Sequence, residues 1–374
     1  MATESSIMDS NSFKEEYASM LSPKTREMIS KREKYLGGAY RLFYRKPLNI
    51  VRGEGDYLWD DEGNKYLDMY NNVAGVGHCN PAVVNAVTEQ MKTLNTHTRY
   101  LHEKILDYSE ELLALMPDEI NKIMYMCTGS EANDLALRVA EAYTGGTGII
   151  ITQEAYHGTS ALTSGCSPSL GAGQPLLPNV RLITAPDYYR HGGTPEEFTA
   201  WYASEMQKTI DELNEAGYKF SCFLAAKEDV LAAFSDKLPY FNTFGGNPVS
   251  IAAAQAVLKY IKDENLQEHC KKAGGALLKA LKEVQERHPE SVGDVRGAGL
   301  FLGFEFVKND GNKTPDKDMA LNVIEMLRDE HILTSVIGHY GNILKLRPPM
   351  VFSENDIDWF ATSLDKCITK LENK

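Results

Sequence analysis

Between residues 123 and 213, short apolar runs alternate with longer stretches of helical periodicity, and this alternation restricts the fold more than any other feature. Residues 123–127 (Ile-Met-Tyr-Met-Cys) form one apolar run. Ala132, Leu135, Ala136, Val139, Ala140 and Tyr143 then recur at helical spacing. Two more short strands are expected at 148–152 and 181–185, followed by a helix whose apolar face carries Phe198, Trp201, Met206, Ile210 and Leu213. Strands and helices in such alternation build a largely parallel sheet covered by helices, an α/β layer.

The flanking text has another texture. Upstream, apolar residues of 50–68 enclose an Asp-Asp-Glu-Gly-Asn turn, which reads as a β-hairpin. A helix follows, with Val84, Val87, Met91 and Leu94 on one face. Downstream of Pro248 come two helical stretches, short strands near 299–307 and 343–347, and a last helix carrying Ile357, Phe360, Leu364 and Leu371. These parts suit a smaller α+β domain. The expected division is an N-terminal arm with part of the small domain at 1–75, a large domain at 76–250, and the rest of the small domain at 251–374. At 374 residues the chain is long enough for more than one core.

A formal net charge of −13 argues against a nucleic-acid partner while leaving room for a local basic pocket. No apolar run is long enough to cross a bilayer, so no membrane is expected. The polar, acidic start reads as neither a secretory nor an Arg-rich transit peptide, and the cytoplasm is the expected compartment. Six cysteines lie scattered at 79, 127, 166, 222, 270 and 367, with no metal-ligand spacing, so no structural metal is expected.

Four short elements carry chemistry. At the junction of the 123–127 run with the next helix stand Thr128, Gly129 and Ser130. Free N–H groups and the positive end of a helix make a seat for a phosphate, although Thr128 or Ser130 reads equally well as a plain N-cap. Tyr156 and His157 follow a strand, where an aromatic can stack on a planar ring with the histidine as polar partner, or the stretch is an exposed loop with a core tyrosine. Thr243 opens a Thr-Phe-Gly-Gly-Asn-Pro turn before a helix, suited to an anion contact or to a turn alone. Arg347, in Leu-Arg-Pro-Pro-Met, is able to clamp a carboxylate; an exposed arginine in a proline-fixed loop is the ordinary alternative.

Taken in order, GEGDYLWDDEGNKYLD, GHCNP, NTHTRYLH, TGSEANDLALRVA, AYHG, TFGGNP, VRGAGLFLGFEF and LRPPM resemble the class-III aminotransferases, pyridoxal-phosphate enzymes of fold-type I. The segments NTHTRYLH and TGSEANDLALR are most similar to the branch of alanine–glyoxylate-type transaminases and ethanolamine-phosphate phospho-lyases. The resemblance implies pyridoxal 5'-phosphate as cofactor, with Thr128, Gly129 and Ser130 at its phosphate and Tyr156 beside His157 on its ring. It implies a homodimer in which Thr243 reaches the phosphate of the neighbouring subunit, and Arg347 at a substrate carboxylate. The implied reaction moves an amino group between an amine or amino acid and a 2-oxo acid, with phosphate elimination as the alternative.

One departure stands out. In the family, the strand matched here by residues 220–226 is followed by a long stretch holding the aspartate that pairs with the pyridine nitrogen and the Schiff-base lysine. Here Ala226 runs directly into Lys227 and text that resembles the family well beyond that lysine. The resemblance therefore implies an internal deletion at 226/227 that removes both residues and several strands, and with them normal turnover. Lys227 is the nearest replacement in sequence and Lys345 a second; each also reads as a solvated side chain. A non-catalytic deletion form acting through dimerisation is the competing expectation.

Overall fold

The computed structural model describes residue 9 and residues 11–70, 73–221, 228–235 and 239–373. In chain order, the first helix is α1 (Pro23–Leu36), followed by strands β1 (Ile50–Glu54), β2 (Tyr57–Asp60) and β3 (Lys65–Asp68). Then come α2 (Pro81–Thr93), α3 (Glu103–Leu113), α4 (Gly129–Thr144), β4 (Ile149–Thr152), α5 (Ala161–Ser164), β5 (Val180–Ile183), α6 (Tyr188–His191), α7 (Pro195–Glu215) and α8 (Glu228–Ser235). The remainder comprises α9 (Pro248–Asp263), α10 (Leu266–Arg287), β6 (Val292–Ala298), β7 (Phe301–Phe306), α11 (Lys317–Asp329), β8 (Ile332–Leu333), β9 (Ser335–Ile337), β10 (Ile343–Leu346) and α12 (Ile357–Glu372). No described helix is long and apolar enough to cross a membrane.

The chain divides into two compact units: one holds Ala82–Leu258, the other Ile7–Pro81 with Lys259–Lys374. The second is the α+β unit. Its sheets run β1-β2-β3-β8 and β6-β7-β10-β9, antiparallel except where β3 meets β8. Alternation puts Leu302, Phe304 and Phe306 of β7 and Leu344 and Leu346 of β10 on one face. Against it pack Leu277, Leu281 and Val284 of α10, Val323 and Leu327 of α11, and Phe360 and Leu364 of α12, in one continuous core.

The first unit is built differently. Among the described residues its parallel sheet has two strands, β4 and β5, extended by a parallel bridge between Gly148 and Phe220. The core is divided, among the described residues, into three small clusters, around Leu135, Val139 and Phe234; around Ile150, Ile183 and Leu213; and around Ile151, Cys166 and Val180. The run at 123–127, expected to be a strand, joins no ladder among the described residues. Its side chains still alternate as a strand's would: Met124 and Met126 join the Leu135 cluster, while Tyr125 turns to Ser109, hydroxyl to hydroxyl at 2.8 Å. The local pattern is that of a strand; what is missing among the described residues is a neighbour to pair with. Cavities of about 370 Å³ and 190 Å³ border the run.

Candidate active site

The sequence places Thr128 at the boundary of α4, and there it is the N-cap: extended in backbone, its hydroxyl accepts from Glu131 N–H at 3.1 Å. Glu131 reaches back to accept from Cys127 N–H at 2.9 Å. The capping reading and the phosphate-seat reading are thus compatible. Capping engages the N–H of Glu131, whereas those of Gly129 and Ser130, at the first two helical positions, have no acceptor within the helix. The positive end of the helix dipole adds to their pull on an anion.

The loop bearing Tyr156 and His157 is fastened to this helix end. Ser130 Oγ accepts from Thr159 N–H at 3.1 Å, and Asn133 Nδ2 donates to His157 O at 2.8 Å. One turn on, Asp134 accepts from Ser160 Oγ at 2.9 Å. Gly158, at φ +133°, makes the approach close: a Cβ there would lie 2.5 Å from Ser130 Oγ and 2.7 Å from its Cα. From below, His157 N–H donates to the buried Ser167 Oγ at 2.9 Å. Burial also holds the His157 imidazole below its ordinary pKa, favouring the neutral ring. Tyr156 is 58% exposed, its ring open to a planar partner.

The third element arrives beside Cys127. Asn242 donates to Tyr125 O at 3.1 Å and accepts from Gly245 N–H, and its Oδ1 lies 3.6 Å from Cys127 Sγ. Thr243, next along, is exposed. Three of the four expected elements therefore gather around the start of α4. Arg347 belongs to the α+β unit, where it lies exposed just after β10 with its guanidinium 5.4 Å above the Phe301 ring. Lys345, on the same face of β10, sits 5.1 Å above the Tyr70 ring. Its ammonium is pushed below its ordinary pKa, first by burial and then by Arg347. Lys227 lies outside the described residues. The sequence reading passed over Asn133, Asp134, Ser167 and Asn242. The first two were legible as one helix face with Ser130, but nothing local marks Ser167, which comes into place only on folding.

A two-unit α/β protein with an anion seat at a helix start, an open tyrosine beside it and a glycine-rich turn alongside matches one family. The model of the class-III aminotransferases fits residues 43–215 and 209–368, and the chain belongs to that family. It is 31% identical to an alanine–glyoxylate aminotransferase 2-like protein of Drosophila melanogaster, over 92% of this chain and 87% of the relative. It is 30% identical to an ethanolamine-phosphate phospho-lyase homolog of Caenorhabditis elegans, over 92% and 93%. Among solved structures, a phospholyase from Arthrobacter in complex with phosphoethanolamine superposes with a TM-score of 0.85 at 29% identity, covering 91% of this chain and 99% of the other. An omega-transaminase from Thermomicrobium roseum shares the fold, with a TM-score of 0.78 at 20% identity, covering 92% and 98%.

The alignment to the Drosophila relative spans 430 positions, whereas 92% of this chain is about 344 residues; about 86 positions therefore face gaps in this chain. The family's cofactor is pyridoxal 5'-phosphate. On its phosphate side the group fits the seat at Gly129 and Ser130. Among the described residues no lysine hydrogen-bonds to Ser130, Tyr156 or His157, and no residue is assigned to its aldehyde side. No catalytic step is derived through it.

Proposed function

We propose that this chain is a class-III aminotransferase-type protein that holds pyridoxal 5'-phosphate by its phosphate and ring, with its amino-transfer chemistry impaired. Bound cofactor supplies an electron sink to this family's enzymes. Thr128, Gly129 and Ser130 hold the phosphate, Tyr156 covers the ring, and neutral His157 packs at its edge. Arg347 receives the carboxylate of an amino acid or 2-oxo acid, and Thr243 meets the phosphate of a second copy in a homodimer.

The observation that carries the reading is the unladdered run at 123–127, which leads straight into an intact anion seat. The seat is intact while, among the described residues, no strand pairs with the run beside it, which supports the reading that residues are missing after Ala226. The test is a titration of the purified chain with pyridoxal phosphate, followed by borohydride reduction and peptide mapping. Saturable binding without a lysine adduct is expected. A reduced adduct on one lysine, Lys227 or Lys345 included, together with amino transfer to a 2-oxo acid, would overturn the impairment.

A second reading, a phospho-lyase, is favoured by the likeness to the Arthrobacter phospholyase. Phosphate release from ethanolamine phosphate, without amino transfer, distinguishes it. The cytoplasm is the compartment proposed with either reading, tested by fractionating cells that express the full chain; recovery in mitochondria would overturn it.

A further inference from the structure

The phosphate seat at the start of α4 carries a negative charge of its own. Glu131, at the third helical position, folds back over the helix end, and its carboxylate accepts from Cys127 N–H at 2.9 Å. The side chain is half-buried, and no lysine or arginine forms an ion pair with it among the described residues. Cys127 registers the charge: its thiol is held above its ordinary pKa, by desolvation first and by Glu131 second. Thr128 Oγ1 accepts from Glu131 N–H, which leaves the N–H groups of Gly129 and Ser130 for a ligand. An incoming phosphate therefore meets two opposed fields. The helix dipole and the free N–H groups attract it, and the carboxylate of the adjoining residue repels it.

We propose that Glu131 sets the affinity of this seat, standing in for the phosphate in the cofactor-free chain and weakening the hold on it in the loaded one. This rests on the reading that Gly129 and Ser130 receive the phosphate of pyridoxal 5'-phosphate. Without cofactor, the carboxylate complements the positive helix end and ties the run at 123–127 to α4. With phosphate bound, two anions share one helix end, and their like charges oppose each other. The two effects have opposite signs. Removing the charge alone therefore loosens the cofactor-free chain and tightens the loaded one, whereas loss of a residue that merely shapes the helix start moves both the same way.

Glu131→Gln keeps an acceptor for Cys127 N–H and discards the charge, whereas Glu131→Asp keeps the charge on a shorter stem. Each variant and the unaltered full chain is titrated with pyridoxal 5'-phosphate and with pyridoxal, which lacks the phosphate. Each is also melted in inorganic phosphate and in potassium chloride of equal ionic strength. For Glu131→Gln, at least ~5-fold tighter binding of pyridoxal 5'-phosphate is expected, with unchanged affinity for pyridoxal. Its thermal midpoint should be lower in chloride and gain more from phosphate than that of the unaltered chain. Glu131→Asp should bind as the unaltered chain does, and the difference between Glu and Gln should shrink as added salt screens the charges. Equal or weaker binding by Glu131→Gln, an equal gain for pyridoxal, a difference that salt leaves unchanged, a midpoint in chloride no lower than the unaltered chain's, or Glu131→Asp behaving as Glu131→Gln would each overturn the proposal. If the chain binds no pyridoxal 5'-phosphate while inorganic phosphate still stabilises Glu131→Gln more than the unaltered chain, the inference stands and the cofactor reading falls. No response to either anion in any of the three proteins overturns both.

Discussion

Gly158 and His157 show how single positions shape the site. Gly158→Ala forces a Cβ into Ser130 at a backbone angle that L-residues avoid, so a loss of more than about 1 kcal/mol is expected. Urea unfolding reads the stability, and a pyridoxal phosphate titration should weaken in parallel as the loop shifts from α4. His157 contributes a pH dependence. Its pKa in the folded chain lies below the ordinary 6.5 because burial disfavours the charged ring. Its contribution is complete above about 6.5 and is lost as pH falls through the lower folded value, because the unfolded chain then binds the extra proton. His157→Gln should flatten the fall in urea midpoint just below pH 6.5; an unchanged slope would assign that fall to other groups. The residues named from the sequence are those whose type is informative in any context, such as a hydroxyl next to a glycine at a helix start. Ser167 escaped notice because its role as acceptor for His157 exists only once α5 and the following turn bring it there.

At the level of elements, much was legible because local chemistry and tertiary packing agree. The hairpin of β2 and β3 follows from its turn, and α4, α7 and α12 from their apolar stripes. The run at 123–127 shows where such reading fails: side-chain alternation records which faces are covered, but a strand also needs a neighbour, and no residue in the run encodes one. The short strands β8 and β9 were missed for the complementary reason: a few residues each, they are defined by their pairing with β3 and β10 rather than by any pattern of their own. The cap of α4 tests the same logic in the helical half. Thr128→Ala removes the acceptor for Glu131 N–H and should cost about 1 kcal/mol, while Thr128→Ser retains it. Equal losses in the two variants, measured by thermal unfolding, would show that the hydroxyl is not what begins the helix.

For the molecule as a whole, the contrast lies in how each unit buries its apolar side chains. Among the described residues, the α+β unit has one continuous core, whereas the unit holding α4 divides its own among three small clusters. Small separate clusters leave more side chains near solvent and open at lower cost. Amides of Phe304 and Leu344 should therefore exchange at least ~10-fold more slowly than those of Ile150 and Ile183 under native conditions; equal rates would mean that the chain opens as one cooperative body. The α+β unit, however, is assembled from both ends of the chain. Its first sheet is completed only when Leu67 of β3 meets Ile332 of β8, 265 residues later. At a synthesis rate of ~5–20 residues per second, roughly 13–50 s separate their emergence from the ribosome. For that interval Leu67, wholly buried in the finished protein, has only its hairpin for cover, and the nascent chain is the form a holdase chaperone would meet.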